Sequence, residues 1–168
     1  NGLKTTIQMT YASLFNEEAI QIAKEDHEKY GDEIALSLLG LPCTEFREKY
    51  KTKDFCIWMF SMEDKKSIVD DVFGKFYDTF GFYPESTGSY YMDAELTNYI
   101  KEKYPSVKCE IATCWEEGPK AYHTCNNSWY TLFDGGPWNP WIPSKQNTHA
   151  PAANEAEDSG VVAIPHLS

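Results

Sequence analysis

Positive charge is scarce in these 168 residues: 15 Lys and Arg stand against 26 Asp and Glu, giving a formal charge of −11 and a pI near 4.7. Such a surface repels phosphate backbones and anionic bilayers, so no nucleic-acid partner is expected. Long hydrophobic runs are missing too. None approaches the roughly 20 residues of a membrane-spanning helix, so no membrane insertion is expected. The start, Asn1-Gly2-Leu3-Lys4, lacks the apolar stretch that a signal peptide carries. Cysteine is sparse and odd in number. Cys43, Cys56, Cys109, Cys114 and Cys125 include no Cys-x-x-Cys pair, which argues against a zinc ribbon or a dithiol redox centre. Most of them read as small buried hydrophobes. There is no glycine-rich phosphate loop, no Gly-x-Ser-x-Gly elbow and no His-x-x-x-His pair.

What is present suits a folded α/β domain. Apolar residues make up 42% and charged residues 24%, close to soluble globular averages, and aromatics reach 15%. A domain of this length buries roughly 70% of its unfolded surface, enough for a core without disulfides. Thr5 to Tyr11 reads as a strand, and Asn16 caps a helix that Gly31 ends. Glu33 to Leu39 is a second strand, followed by a short helix from Thr44 to Tyr50. The apolar run Phe55 to Phe60 predicts a strand buried on both faces. Ser61 and Asp64 form a capping box ahead of a helix whose stripe is Ile68, Val69, Val72, Phe73, Phe76, Tyr77 and Phe80. Gly81 stops it, Pro84 to Tyr91 holds a loop or very short strand, and Asp93 caps another helix that ends at Pro105. Val107 to Cys114 is a further strand.

Strand and helix thus alternate, the mark of right-handed βαβ units and a mostly parallel sheet with flanking helices. Pro143 to Gly160 reads as a long exposed loop, and Val161 to Ile164 as a last strand. One domain is expected over 1–168: regular β/α units over 1–115, a loop-rich aromatic segment over 116–160 and a final strand over 161–168. A buried strand followed so soon by the end of the sequence suggests part of a longer chain. Unpaired sheet edges call for a second copy, a further segment or rearranged loops, and a homodimer is the expected partnership.

Parallel sheets bind ligands beyond the carboxyl ends of their strands. Those ends here bring Tyr91-Met92-Asp93, Trp115-Glu116-Glu117-Gly118 and Pro165-His166. Adjacent carboxylates beside an aromatic wall suit acid/base chemistry on a sugar, because an apolar neighbour raises a carboxyl pKa; the plain alternative is a solvated turn. Trp138-Asn139-Pro140-Trp141 holds two indoles stiffly between prolines, either to stack on pyranose rings or to fold inward over the core. His27 reads as structural. His123, His149 and His166 fall in the C-terminal half, where a metal site built from them is the minor alternative to neutral loop histidines. No cofactor is called for, and a divalent metal has no ligand motif here.

Gly31 to Leu36, Phe80-Gly81-Phe82-Tyr83-Pro84, Gly88 to Asp93, Trp138 to Ser144 and Gly160 to Pro165 occur in an order that resembles the polysaccharide-deacetylase superfamily and its related glycoside hydrolases. More closely, the chain is similar to a bacterial family of unknown function related to them. The resemblance implies part of a seven-stranded β/α barrel, beginning at its second strand. It implies a carbohydrate substrate, and with it an extracytoplasmic setting. In the deacetylases it implies an aspartate pair and a His-x-x-x-His motif around a metal. In the glycosidases it implies two carboxylates roughly 5 to 9.5 Å apart. On this reading Glu116, Glu117 and His166 are the catalytic candidates, and Trp115, Trp138, Trp141 and Tyr91 bind the sugar. The other reading is a noncatalytic carbohydrate-binding or scaffold module.

Overall fold

Alternation in Thr6-Ile7-Gln8-Met9-Thr10 sets the two faces of the first strand, β1 (Thr6–Thr10), with Ile7 and Met9 in the core and Thr6 and Gln8 exposed. The computed structural model describes residues 2–54, 56–89, 91–115 and 137–167, of which 113–115 and 166–167 are described by backbone alone. After β1 and a short 3-10 turn come α1 (Glu17–Tyr30) and β2 (Glu33–Ser37). The expected caps are in place: the Ala19 N–H donates to the Asn16 side chain at 3.0 Å, and Gly31 closes the helix in the left-handed conformation.

Next are α2 (Thr44–Tyr50), α3 (Met62–Phe80), β3 (Ser86–Gly88), α4 (Ala94–Lys103) and β4 (Cys109–Trp115). The α3 capping box forms as read, with the Asp64 N–H donating to Ser61 Oγ at 3.2 Å and the Ser61 hydroxyl to Asp64 Oδ2 at 2.7 Å. Its stripe is buried through Phe76. Tyr77, at the drifting end of the stripe, is instead exposed and packs on Tyr83.

A hairpin, β5 (Pro143–Ser144) and β6 (Asn147–Pro151), precedes β7 (Val162–Leu167). The main sheet has the order β1-β2-β3-β4-β7, and every neighbouring pair is parallel. Each crossover steps the same way, so right-handed connections put the helices on one face, as along the arc of a β/α barrel. Met9, Ile34, Leu36, Ala112 and Ala163 meet Val72, Phe73, Phe76, Leu96 and Ile100 there in a single core. The opposite face carries Thr6, Gln8, Glu33, Ser86, Cys109 and Ile164 around a hollow of about 390 Å³.

Three expectations need correction. The run from Phe55 to Phe60 is not a strand: Cys56 makes one antiparallel bridge to Leu39, and Ile57–Met59 form a 3-10 turn; Phe55 lies outside the described residues. A six-residue apolar run without periodicity is equally suited to plugging a core, and Ile57, 0% exposed, does so. Pro143 to Gly160 is not a plain exposed loop but contains the β5–β6 hairpin. The last strand runs on past Ile164 to Leu167 and includes Pro165, which an edge strand tolerates because its outward position needs no N–H. On that edge Trp141 and Ala163 exchange backbone hydrogen bonds of 3.1 and 2.8 Å, so a rearranged loop covers part of it.

Candidate functional site

Parallel pairing sends the ends of β2, β3, β4 and β7 to one rim, and the chain after β3 is turned onto that rim by close backbone contact. Gly88 has φ +146°, and a Cβ there would stand 2.4 Å from Ile111 O and 2.5 Å from Ile111 N. Only glycine lets β3 lie so near β4. The Ser89 N–H then donates to Ile111 O at 3.0 Å, and the Met92 N–H to Ala112 O at 3.1 Å. With Ser89 and Met92 both buried, Tyr91 between them is half-buried at the rim. Burial pushes its phenol pKa up, and the Asp93 carboxylate adds to the rise.

Asp93 has two structural tasks. One oxygen accepts the Leu96 N–H at 3.0 Å and caps α4, and the other accepts Lys65 Nζ at 2.7 Å. Lys65 stands in the first turn of α3 with only 8% of its surface exposed. A lysine there opposes the helix dipole, so the ion pair is what makes the position tenable. That mismatch is the signal in the sequence that could have singled out Lys65, which composition and motif reading passed over. Lys65→Met should lower stability by about 2 kcal/mol, between the values for exposed and buried pairs, and a urea midpoint measurement checks it.

The hairpin brings in the second set of residues. His149, on β6, packs edge-on against Tyr91 with ring centroids 5.4 Å apart. Trp141 is turned inward, 7% exposed, and its Nε1–H donates to Thr148 O at 3.0 Å. Its indole therefore braces the hairpin instead of offering a face to solvent. Trp138 is 66% exposed. Cys114 pairs with His166 and Trp115 with Leu167 at the end of the β4–β7 ladder, so the backbones of Trp115 and His166 reach the same rim. Glu116, Glu117 and His123 lie outside the described residues. His27 sits at the other end of the sheet, where its Nδ1–H donates to Asp32 O at 2.6 Å.

Beneath the rim, on the helix side of β4, Glu110 is 1% exposed. The Thr97 hydroxyl lies 2.9 and 3.0 Å from its two carboxyl oxygens. Burial pushes its pKa up to about 8; the Thr97 hydrogen bond opposes this and Asp93 adds to it. Glu110 holds its proton at neutral pH. The alternation Lys108-Cys109-Glu110-Ile111 sets Glu110 with Lys108 on the polar side of the strand, so nothing in the sequence marked it as buried. Among the described residues no group of three or more His, Cys, Asp or Glu is arranged to hold a metal ion. No helix among them is long and apolar enough to cross a membrane.

No family model matches the chain, and no curated protein does. Among solved structures it is similar to the crystal structure of a "putative glycoside hydrolase/deacetylase" from Parabacteroides distasonis. The superposition has a TM-score of 0.56 at 18% sequence identity and covers 98% of this chain. The chain spans 34% of the length of that neighbour. At this identity the likeness is one of fold: a mostly parallel α/β sheet with flanking helices, in keeping with part of a β/α barrel.

Proposed function

We propose that this chain is a carbohydrate-active hydrolase domain whose glycan substrate lies along the carboxyl rim of the sheet. The observation that carries the reading is the gathering of Tyr91 and His149, distant in sequence, with ring centroids 5.4 Å apart at that rim. The fold shared with the Parabacteroides protein supports it. Trp138 and Tyr91 stack on the apolar faces of the sugar, while Trp141 holds the Trp138 segment against β7. One of Glu116 and Glu117, which follow Trp115 in the sequence, acts as general acid and protonates the leaving oxygen. The other, still ionised, faces the reacting carbon or its attacking water. His166, one residue before the end of β7, is the further proton-transfer group.

Trp138→Ala should weaken glycan binding roughly tenfold, about 1.4 kcal/mol, because a 66% exposed indole has a large apolar face to offer a sugar ring. A glycan array followed by titration of the best-bound oligosaccharide measures it. Unchanged affinity would remove the stacking role. If Trp138→Ala lost binding while no oligosaccharide on the array were ever cleaved, a noncatalytic carbohydrate-binding module would be the better reading.

A further inference from the structure

Glu110 and Thr97 are both buried, and among the described residues no other hydrogen bond reaches the Glu110 carboxyl. One hydroxyl within 3.0 Å of both carboxyl oxygens suits the acid and not the ion. With its proton, Glu110 donates to Thr97 Oγ from one oxygen and accepts the Thr97 hydroxyl on the other, so the pair closes on itself. Without the proton, a single donor serves both oxygens and the buried charge has no cation beside it.

The surrounding elements offer no substitute. From α4 the charge that acts on Glu110 is Asp93, of the same sign, and Lys65 on α3 is already taken by Asp93 at 2.7 Å. Lys101 donates to the carbonyls of Pro105 and Val107. In the sheet, β3 sets Thr87 beside Glu110, with its hydroxyl donating to Leu36 O at 2.9 Å, and β7 sets Ala163 there. The Cys109 thiol, next along β4, is held protonated by burial, its pKa pushed up to about 11. The pair thus ties the first turn of α4 to β4 by itself. Within that turn the Thr97 N–H donates to Asp93 O, and the Leu96 N–H to Asp93 Oδ1, both at 3.0 Å. Asp93 and Thr97 therefore move together, and Tyr91, two residues before Asp93, is carried with them.

We propose that Glu110 and Thr97 form a proton-gated latch: the acid docks the first turn of α4 and keeps Tyr91 against His149, whereas loss of the proton to solvent admits water between α4 and β4 and frees Tyr91. The latch is closed at neutral pH and opens as pH rises through the Glu110 midpoint, about 8. One consequence rests on the function proposed above. One pH unit past the midpoint roughly a tenth of the chains keep the closed rim, so glycan affinity falls about tenfold.

The latch itself is read in the free chain, which keeps its failure distinguishable from that of the glycan reading. Carbon-detected NMR follows the Glu110 carboxyl carbon, the Leu96 methyls and the Tyr91 ring between about pH 6.5 and 9.5. All three should shift with one midpoint. The Tyr91 phenol, its pKa raised by burial from the ordinary 10.0, stays protonated across that range. Glu110→Gln keeps the two-point pair through its amide and should lose the transition, leaving Leu96 and Tyr91 at their neutral-pH shifts throughout. Thr97→Val removes the partner and should place the Tyr91 ring, at neutral pH, where the unaltered chain arrives only at alkaline pH. Thermal melting establishes that each variant is folded; should Thr97→Val not fold, Glu110→Gln alone decides. A Glu110 carboxyl already ionised at about pH 6.5, one that titrates while Leu96 and Tyr91 stay still, or a Tyr91 transition that persists in Glu110→Gln would each overturn the proposal.

Discussion

Glu110→Gln should raise the stability of the fold at pH 7 by about 3 kcal/mol, or roughly 6 to 12 °C in Tm for a domain of this size. In the folded chain this carboxyl is neutral up to about pH 8, whereas unfolded it ionises near its ordinary 4.5. Between those values the native state keeps a proton that the unfolded state has released. The contribution is fully present below the unfolded pKa and is lost, at about 1.4 kcal/mol per pH unit, as pH rises through the folded one. Glutamine keeps the size of the side chain and an oxygen for the Thr97 hydroxyl but carries no such linkage. The advantage of the variant should therefore be small near pH 4.5, grow steadily and level off above pH 8. Urea unfolding across that range measures it, and an advantage constant with pH would mean that Glu110 is not held neutral.

The same residue illustrates what the sequence did and did not disclose. Local signals were strong wherever the physics was local. Asn16, Ser61 and Asp93 all cap the helices expected of them, and Gly31 and Gly81 close two of these in the left-handed conformation. The parallel sheet followed from strand–helix alternation alone. The strand expected over Phe55 to Phe60 gives way to a 3-10 turn at Ile57–Met59 because a short apolar run carries no period, and only the packing decides between strand and plug. The β5–β6 hairpin was missed because its strands are brief and polar, held by cross-chain bonds such as Trp141 Nε1–H to Thr148 O. At the site, Tyr91 and Trp138 could be picked out as aromatics in suggestive settings. The partnership of Tyr91 with His149, and of Lys65 with Asp93, depends on how separate crossovers meet at the rim. No spacing in the sequence encodes those contacts.

Replacing Glu116 and Glu117 together by glutamine should lower hydrolytic kcat/KM on the cognate glycan by three orders of magnitude or more, about 4 kcal/mol of transition-state stabilisation. Glutamine can neither donate the carboxyl proton nor carry the ionised charge, yet it preserves shape and most hydrogen bonding to the sugar. Affinity for the intact oligosaccharide should accordingly change little while turnover collapses. The single variants should separate the roles: loss of the acid hurts substrates with poor leaving groups most, and loss of the base or nucleophile hurts all alike. Turnover that survives the double replacement would assign the chemistry to other residues.

Whether the carboxyl rim of the parallel sheet is the glycan site can be tested most directly by titrating the tightest-binding oligosaccharide from an array into labelled protein and mapping the shifted resonances. The account predicts perturbations concentrated at Tyr91, His149 and Trp138, with the amides of Gly31 and Tyr83 at the opposite end unmoved. Shifts that cluster at Gly31 and Tyr83, and leave Tyr91 and His149 silent, would contradict it.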